Sequence, residues 1–215
     1  MNYSTILFDL DGTLTDSQQG ITSTIVRVLA ELGVVGFAES DLLWCVGPPL
    51  RDSFVTLLGE EGGLPDKAMR LYEKFYESGG MFRSSVYPGV KDALAELKAA
   101  GCVLVVVTGK PVFQATPILE HFGLLDFFSH VIGPTVDDRD EDKGRLLAKA
   151  LACLDVPAEQ CLYIGDRAGD AIGAGENGVP FLAVRYGYGS DQELLDAGAK
   201  VFADVPADWK KVIFQ

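Results

Sequence analysis

Positive charge is scarce in this sequence: 18 lysines and arginines stand against 31 aspartates and glutamates, a net charge of −13. A broad basic face is therefore excluded, and with it general binding to nucleic acid or to an anionic membrane. A small anionic substrate stays compatible, because a metal ion and one or two lysines reverse the field locally. Cysteine is also sparse. Cys45, Cys102, Cys153 and Cys161 form no CxxC pair, so buried free thiols in a reducing compartment are expected. No apolar run reaches membrane-spanning length and no basic leader opens the chain, so the expected location is cytoplasmic. Neither a GxSxG elbow nor a Walker A loop occurs. Gly173-Ala174-Gly175-Glu176-Asn177-Gly178 fits GxGxxG but closes a helical pattern instead of opening one, which excludes a dinucleotide site and implies close packing and a C-cap.

What the chain does have is an ordinary globular composition, 48% apolar and 23% charged over 215 residues. That length suits one large domain or a domain carrying an insertion. Thr5-Ile6-Leu7-Phe8 begins an apolar, β-rich run that ends in Asp9-Leu10-Asp11-Gly12. Two like charges placed this close at the end of a buried strand are costly unless a cation neutralises them. Oxygen ligands of this kind suit Mg²⁺.

Helical spacing follows over Gln18–Leu32, with further helical patterns at Glu39–Val46, Leu50–Leu58 and Asp66–Tyr76, and no convincing strand between Thr15 and Val86. This reads as an all-helical insertion of about seventy residues, the size of a small bundle. From Val90 the pattern alternates. Helices are predicted at 90–100, 112–122, 143–154 and 168–176, with a short one around Leu194–Leu195. Strands are predicted at 102–107, 127–132, 161–164, 181–184 and 201–202. The expected fold class is α/β: a doubly wound, mainly parallel sheet with helices on both faces. The expected domains are a core of 1–15 with 86–215 and a helical cap of 16–85.

In such sheets ligands bind beyond the carboxyl ends of the strands, and those ends carry the chemistry here. The first bears Asp9 and Asp11. The next bears Thr108-Gly109-Lys110, whose hydroxyl, backbone N–H groups and ammonium suit a phosphate. Lys143 opens a later helix. Gly165-Asp166-Arg167-Ala168-Gly169-Asp170 follows another strand, and a helix starting near Arg167 sets Asp166 and Asp170 on one side. The acidic run Asp137-Asp138-Arg139-Asp140-Glu141-Asp142 reads as a solvated loop, and Trp44 and Trp209 as packing residues.

Asp9-Leu10-Asp11-Gly12-Thr13, Thr108, a later lysine and Gly165-Asp166-(x)₃-Asp170 resemble, in order, the four motifs of the haloacid dehalogenase-like phosphatases across essentially the whole chain. The helical insertion resembles that family's C1-type cap over a Rossmann-like core. The resemblance implies Asp9 as nucleophile and Asp11 as general acid and base. Thr108 and the Gly109 N–H would hold phosphoryl oxygens. Lys143, or alternatively Lys110, would neutralise phosphate charge. Asp9, Asp166 and the main-chain oxygen of Asp11 would hold Mg²⁺, with Asp170 supporting the metal or orienting the lysine. Where the family commonly carries asparagine or serine this chain has Gly109, so no side chain contributes there.

The start of the chain resembles phosphoglycolate phosphatases. Gly47-Pro48-Pro49-Leu50, Gly165-Asp166-Arg167 and Tyr186-Gly187-Tyr188-Gly189-Ser190 resemble the 5′-nucleotidase-like branch. Gly47 and Arg51 are the cap residues expected to meet substrate. The implied partner is a small phosphorylated metabolite, with no nucleic acid and no membrane, acting on a monomer or homodimer. β-Phosphoglucomutases share the architecture but use a histidine soon after the first motif. The only histidines here are His121 and His130. Other phosphotransferases of the fold, a receiver domain and a catalytically silent binding module are the alternatives. A receiver would carry its acceptor on a middle strand with no insertion, and a silent module would lack Asp9 or Asp11.

Overall fold

A computed structural model describes residues 3–47, 49–135 and 142–214. Pro48 and most of the acidic run, 137–141, lie outside the described residues. The chain divides into two compact units, residues 1–15 with 86–215 and residues 16–85.

The larger unit is built on a six-stranded sheet of order β5-β4-β1-β6-β7-β8. Its strands are β1 (Thr5–Phe8), β4 (Val103–Val107), β5 (His130–Ile132), β6 (Cys161–Gly165), β7 (Phe181–Val184) and β8 (Phe202–Ala203). Every pairing in it is parallel. β1, β4 and β6 are almost wholly buried, as strands covered on both faces must be, and they read as apolar runs without polar alternation. The two-residue period still sorts their side chains. Leu7, Val105, Val107, Cys161 and Tyr163 pack with Leu146, Leu147 and Ala150 of α6 (Lys143–Leu154) and Ala174 of α7 (Ala168–Glu176). On β1, Phe8 faces the other way, its ring 5.2 Å from Trp209 and 6.0 Å from Phe128. Trp209 opens α9 (Trp209–Ile213). The unit is completed by α4 (Val90–Ala99), α5 (Val112–His121) and α8 (Asp191–Asp196).

Register decides what the strand ends bring together. Phe8 pairs with Val106 on one side and Ile164 on the other, and the Asp9 N–H donates to Ile164 O at 2.9 Å. Asp9, Thr108 and Asp166 therefore leave the sheet at one edge, within a residue of the same level.

The smaller unit contains α1 (Gln18–Glu31), α2 (Leu50–Leu58) and α3 (Leu64–Glu77), with a 3₁₀ turn at Glu39–Cys45. The chain enters and leaves it through the two-residue strands β2 (Thr15–Asp16) and β3 (Ser85–Val86). Ile25, Val28 and Leu29 of α1 are buried, Tyr72 stacks on Tyr76 at 5.1 Å, and the Arg27 guanidinium lies 3.8 Å over the Phe75 ring. No helix among the described residues is long and apolar enough to cross a membrane.

Four expectations need correction. The helical pattern at 39–46 is realised as a 3₁₀ helix over Glu39–Cys45 and stops before Val46, with Asp41 folding back to accept the Ala38 N–H at 2.8 Å and fixing a tight turn. Strand pairing near 127–132 begins only at His130, opposite Val105; Leu125–Phe127 forms a 3₁₀ turn that sends Phe128 toward Phe8. Trp44 is 46% exposed and anchors no core. Cys153 is exposed, although Cys45, Cys102 and Cys161 are buried free thiols.

Trp209 is 0% exposed and fills the face opposite α6 and α7. Trp209→Ala should cost about 3–5 kcal/mol, read as a lower denaturant midpoint with an unchanged slope.

Candidate active site

β1 ends because Leu10 to Thr15 curl into a tight loop, with the Leu14 and Thr15 N–H groups both donating to Leu10 O. Gly12 makes this loop possible. It has φ +86°, and a Cβ there would lie 2.6 Å from Asp166 Cγ, so any side chain would meet both backbone strain and a buried carboxylate. On β6 the strand passes directly into α7. Asp170, one turn along, accepts the N–H groups of Asp166 and Arg167 on Oδ2 at 3.1 and 3.0 Å. Glu193 accepts the Ala168 N–H at 2.9 Å and pairs with Arg167 at 2.8 Å. These bonds satisfy the open end of α7 and fix the Asp166–Asp170 turn.

The result is one dense polar cluster. Ligand oxygens of Asp9, Asp166 and Asp170 all lie within 4.8 Å of one another, and all three residues are buried. Lys143, placed there as the first residue of α6, puts Nζ 2.7 Å from Asp9 Oδ1 and 2.6 Å from Asp170 Oδ1. It also donates to the Tyr163 hydroxyl at 2.9 Å. That hydroxyl has Asp170 Oδ1 at 3.0 Å and Val107 O at 2.9 Å as acceptors for its single proton. Asp166 accepts Thr13 Oγ1 on Oδ1 at 3.0 Å and the Tyr188 N–H on Oδ2 at 2.9 Å. Asp11 is held from the other side by Lys110, with Nζ 2.9 Å from Oδ2. Thr108 is buried, and its hydroxyl accepts the Lys110 N–H at 3.2 Å.

The electrostatics follow from this crowding. Burial pushes Asp9 up to about 6 against the pull of Lys143, with Asp170 and Asp11 adding repulsion. Burial and the charges of Asp170 and Asp9 hold Asp166 well above the usual carboxylate range, despite the bonds from Tyr188 and Thr13. Burial works to lower Lys143, but Asp170 and Asp9 outweigh it and keep the ammonium charged. One lysine does not balance three buried carboxylates. Asp9 Oδ1 touches Lys143 without hydrogen-bond geometry, and the buried Asp11 Oδ1 has no hydrogen-bond partner. An all-carboxylate donor set with oxygens left over fits a hard divalent cation.

Of the residues singled out from the sequence, Asp9, Lys143, Asp166 and Asp170 meet directly, and Asp11 is joined to Lys110. Gly109 is exposed, between Thr108 and Lys110. In the helical unit Gly47 has φ +109° and is exposed. Arg51 pairs there with Asp66 at 3.1 Å and Glu60 at 3.8 Å. Gly173 packs tightly against Gly144 N, as the GxGxxG decoy implies, whereas a Cβ at Gly175 would meet nothing. Tyr163 and Thr13 were not anticipated as members of the cluster. A tyrosine inside an otherwise aliphatic strand, two residues before Gly165, was the available signal, since a buried phenol needs a partner.

Residues 6–184 match the model of the haloacid dehalogenase-like hydrolases. A 5′-nucleotidase from Pseudomonas aeruginosa is 36% identical over 194 residues, 90% of this chain and 88% of the relative. A phosphoglycolate phosphatase from Caulobacter vibrioides is 33% identical over 214 residues, 96% of this chain and 90% of the relative. The crystal structure of a predicted phosphatase from Clostridium acetobutylicum superposes with a TM-score of 0.92 at 36% identity, covering 100% of this chain and 99% of the other. The chain belongs to the haloacid dehalogenase-like hydrolase family. It is an enzyme of the phosphoric monoester hydrolase class.

The raised carboxyl of Asp9 has a sign that can be tested. Its folded-state value, about 6, exceeds the unfolded 3.8, so its contribution to stability is complete below pH 3.8 and is lost as pH rises through 6. In EDTA, the denaturant midpoint of Asp9→Asn should gain on that of wild type as pH rises from about 4 to about 7. Parallel midpoints across that range would contradict the buried, uncompensated charge.

Proposed function

We propose that this enzyme hydrolyses a small phosphomonoester through a phosphorylated Asp9, with Mg²⁺ as cofactor. The observation that carries the reading is the meeting of Asp9, Asp166, Asp170 and Lys143 at the carboxyl ends of β1 and β6, with Thr108 at the end of β4. A divalent cation on Asp9, Asp166 and the Asp11 main chain, supported by Asp170, would neutralise the repulsion between an anionic nucleophile and an anionic substrate.

In the first step an Asp9 carboxylate oxygen attacks phosphorus, and the bond from phosphorus to the leaving oxygen breaks. Asp11, in its carboxylic acid form, gives that oxygen its proton. In the second step the Asp11 carboxylate takes a proton from water. That water attacks phosphorus, and the bond to Asp9 breaks to release inorganic phosphate. Thr108 and the Gly109 N–H hold phosphoryl oxygens in line. Lys143, already fixed by Asp170 and Tyr163, meets the charge that develops beside Asp9. Phosphoryl transfer of this kind rests on positioning and charge stabilisation.

We assign residues 16–85 the role of the family's substrate-selecting cap, with Gly47 and Arg51 as its candidate substrate contacts. A substrate anion at Arg51 would have to displace Asp66 and Glu60. Phosphoglycolate is the first substrate candidate. A nucleoside 5′-monophosphate is the second, favoured by the 36% identity to a 5′-nucleotidase. A cytoplasmic site of action, as monomer or homodimer, completes the proposal.

Phosphate release from phosphoglycolate, nucleoside 5′-monophosphates, sugar phosphates and pyrophosphate tests it. Release from one class should require Mg²⁺ and vanish in EDTA. Asp9→Asn should keep the fold and lose at least about a thousandfold in kcat, about 4 kcal/mol of barrier. Near-wild-type turnover by that variant would sink the mechanism.

A further inference from the structure

The segment Tyr186–Ser190 follows β7 and has no part in the chemistry above, yet it is fastened to the metal-facing end of the site at every step. The Tyr186 hydroxyl donates to Thr13 O at 3.0 Å. Its ring lies 4.8 Å from that of Tyr87. The Tyr188 N–H donates to Asp166 Oδ2 at 2.9 Å, while Thr13 Oγ1 donates to Asp166 Oδ1 at 3.0 Å. Each Asp166 oxygen thus has one protein donor, and both donors are tied to this segment.

Two glycines allow the approach. A Cβ on Gly187 would lie 2.5 Å from Gly12 O and 2.6 Å from Asp166 Cγ. A Cβ on Gly189 would collide with Asp166 O. Neither glycine has a positive φ, so the requirement here is space and not backbone freedom. Asp166 is 0% exposed, with Gly12 and the backbone of Gly187 and Gly189 packed directly against it. Its carboxylate plane is set by these contacts.

We infer that the Tyr186–Gly189 segment is a positioning element that aims the Asp166 carboxylate and so sets the affinity of the site for a divalent cation. This rests on the metal-dependent reading above and deepens it. The segment touches neither Asp9 nor Lys143 through any of these bonds, so its effect should appear in metal binding before it appears in the chemical step. Groups that orient a ligand carboxylate typically contribute 10–100-fold in metal affinity when lost.

The test is Mn²⁺ titrated into the metal-free protein as a paramagnetic stand-in for Mg²⁺, with free Mn²⁺ read by electron paramagnetic resonance. Gly187→Ala should raise the dissociation constant at least about tenfold with unchanged circular dichroism. Its lost phosphatase activity should return at high Mg²⁺, which general structural damage would not allow. Tyr186→Phe, which keeps the ring and removes one hydrogen bond, should weaken binding about fivefold. Gly175→Ala, on α7 where a Cβ meets nothing, should bind as wild type does. A folded Gly187→Ala with wild-type affinity would overturn the inference. Should Gly187→Ala not fold, unchanged affinity in Tyr186→Phe would overturn it. Failure of the underlying reading looks different: Asp166→Asn would then bind Mn²⁺ no more weakly than wild type.

Discussion

Repulsion among Asp9, Asp166 and Asp170 is the constraint on which the site depends. Their oxygens lie within 4.8 Å of one another, buried from water, with a single lysine between two of them. Such a cluster is unfavourable on its own, and the surrounding structure is arranged to hold it in place. The parallel register of β1, β4 and β6 delivers the groups to one edge. The first turn of α7 supplies N–H groups to Asp170. The Lys143 ammonium at the start of α6 is held by Asp170 and the Tyr163 phenol before it reaches Asp9. In the mechanism proposed above, the same features that cost stability would attract a cation and phosphate charge.

The two lysines divide the work. Lys143 is tied to Asp9 and to Asp170, whereas Lys110 pairs with Asp11 from the loop after β4. Sequence alone left open which of them meets phosphate. Lys143 meets two carboxylates, Asp9 and Asp170, and Lys110 meets Asp11; the mechanism proposed above therefore places Lys143 beside the phosphate. Thr108, buried at the base of the Lys110 loop, fixes that loop through its hydroxyl.

Much of this was legible in the sequence because parallel strands buried on both faces leave continuous apolar runs, and polar residues at their ends stand out. Asp9, Thr108 and Asp166 were found in that way, and α6 and α7 begin and end where their patterns predict. Edge elements were harder. β5 is three residues long, and the turn before it borrows apolar residues for packing, so hydrophobicity overstated the strand. Tyr163 was hidden inside a strand pattern. The bonds from Thr13 and Tyr188 to Asp166 were invisible because they join residues 153 and 22 positions apart. In sequence the run Tyr186-Gly187-Tyr188-Gly189 offers only a resemblance to one branch of the family; the structure shows that its glycines make room for a carboxylate.

The most direct test of the account asks where the phosphoryl group goes. Asp11→Asn is treated with radiolabelled p-nitrophenyl phosphate, whose leaving group needs no proton, so that Asp9 still reacts while the water step lacks its base. The account predicts protein-bound label that builds up to one equivalent, is released by hydroxylamine as an acyl phosphate is, and maps to Asp9. Label on any other residue, or continued p-nitrophenolate release with no bound label, would contradict it.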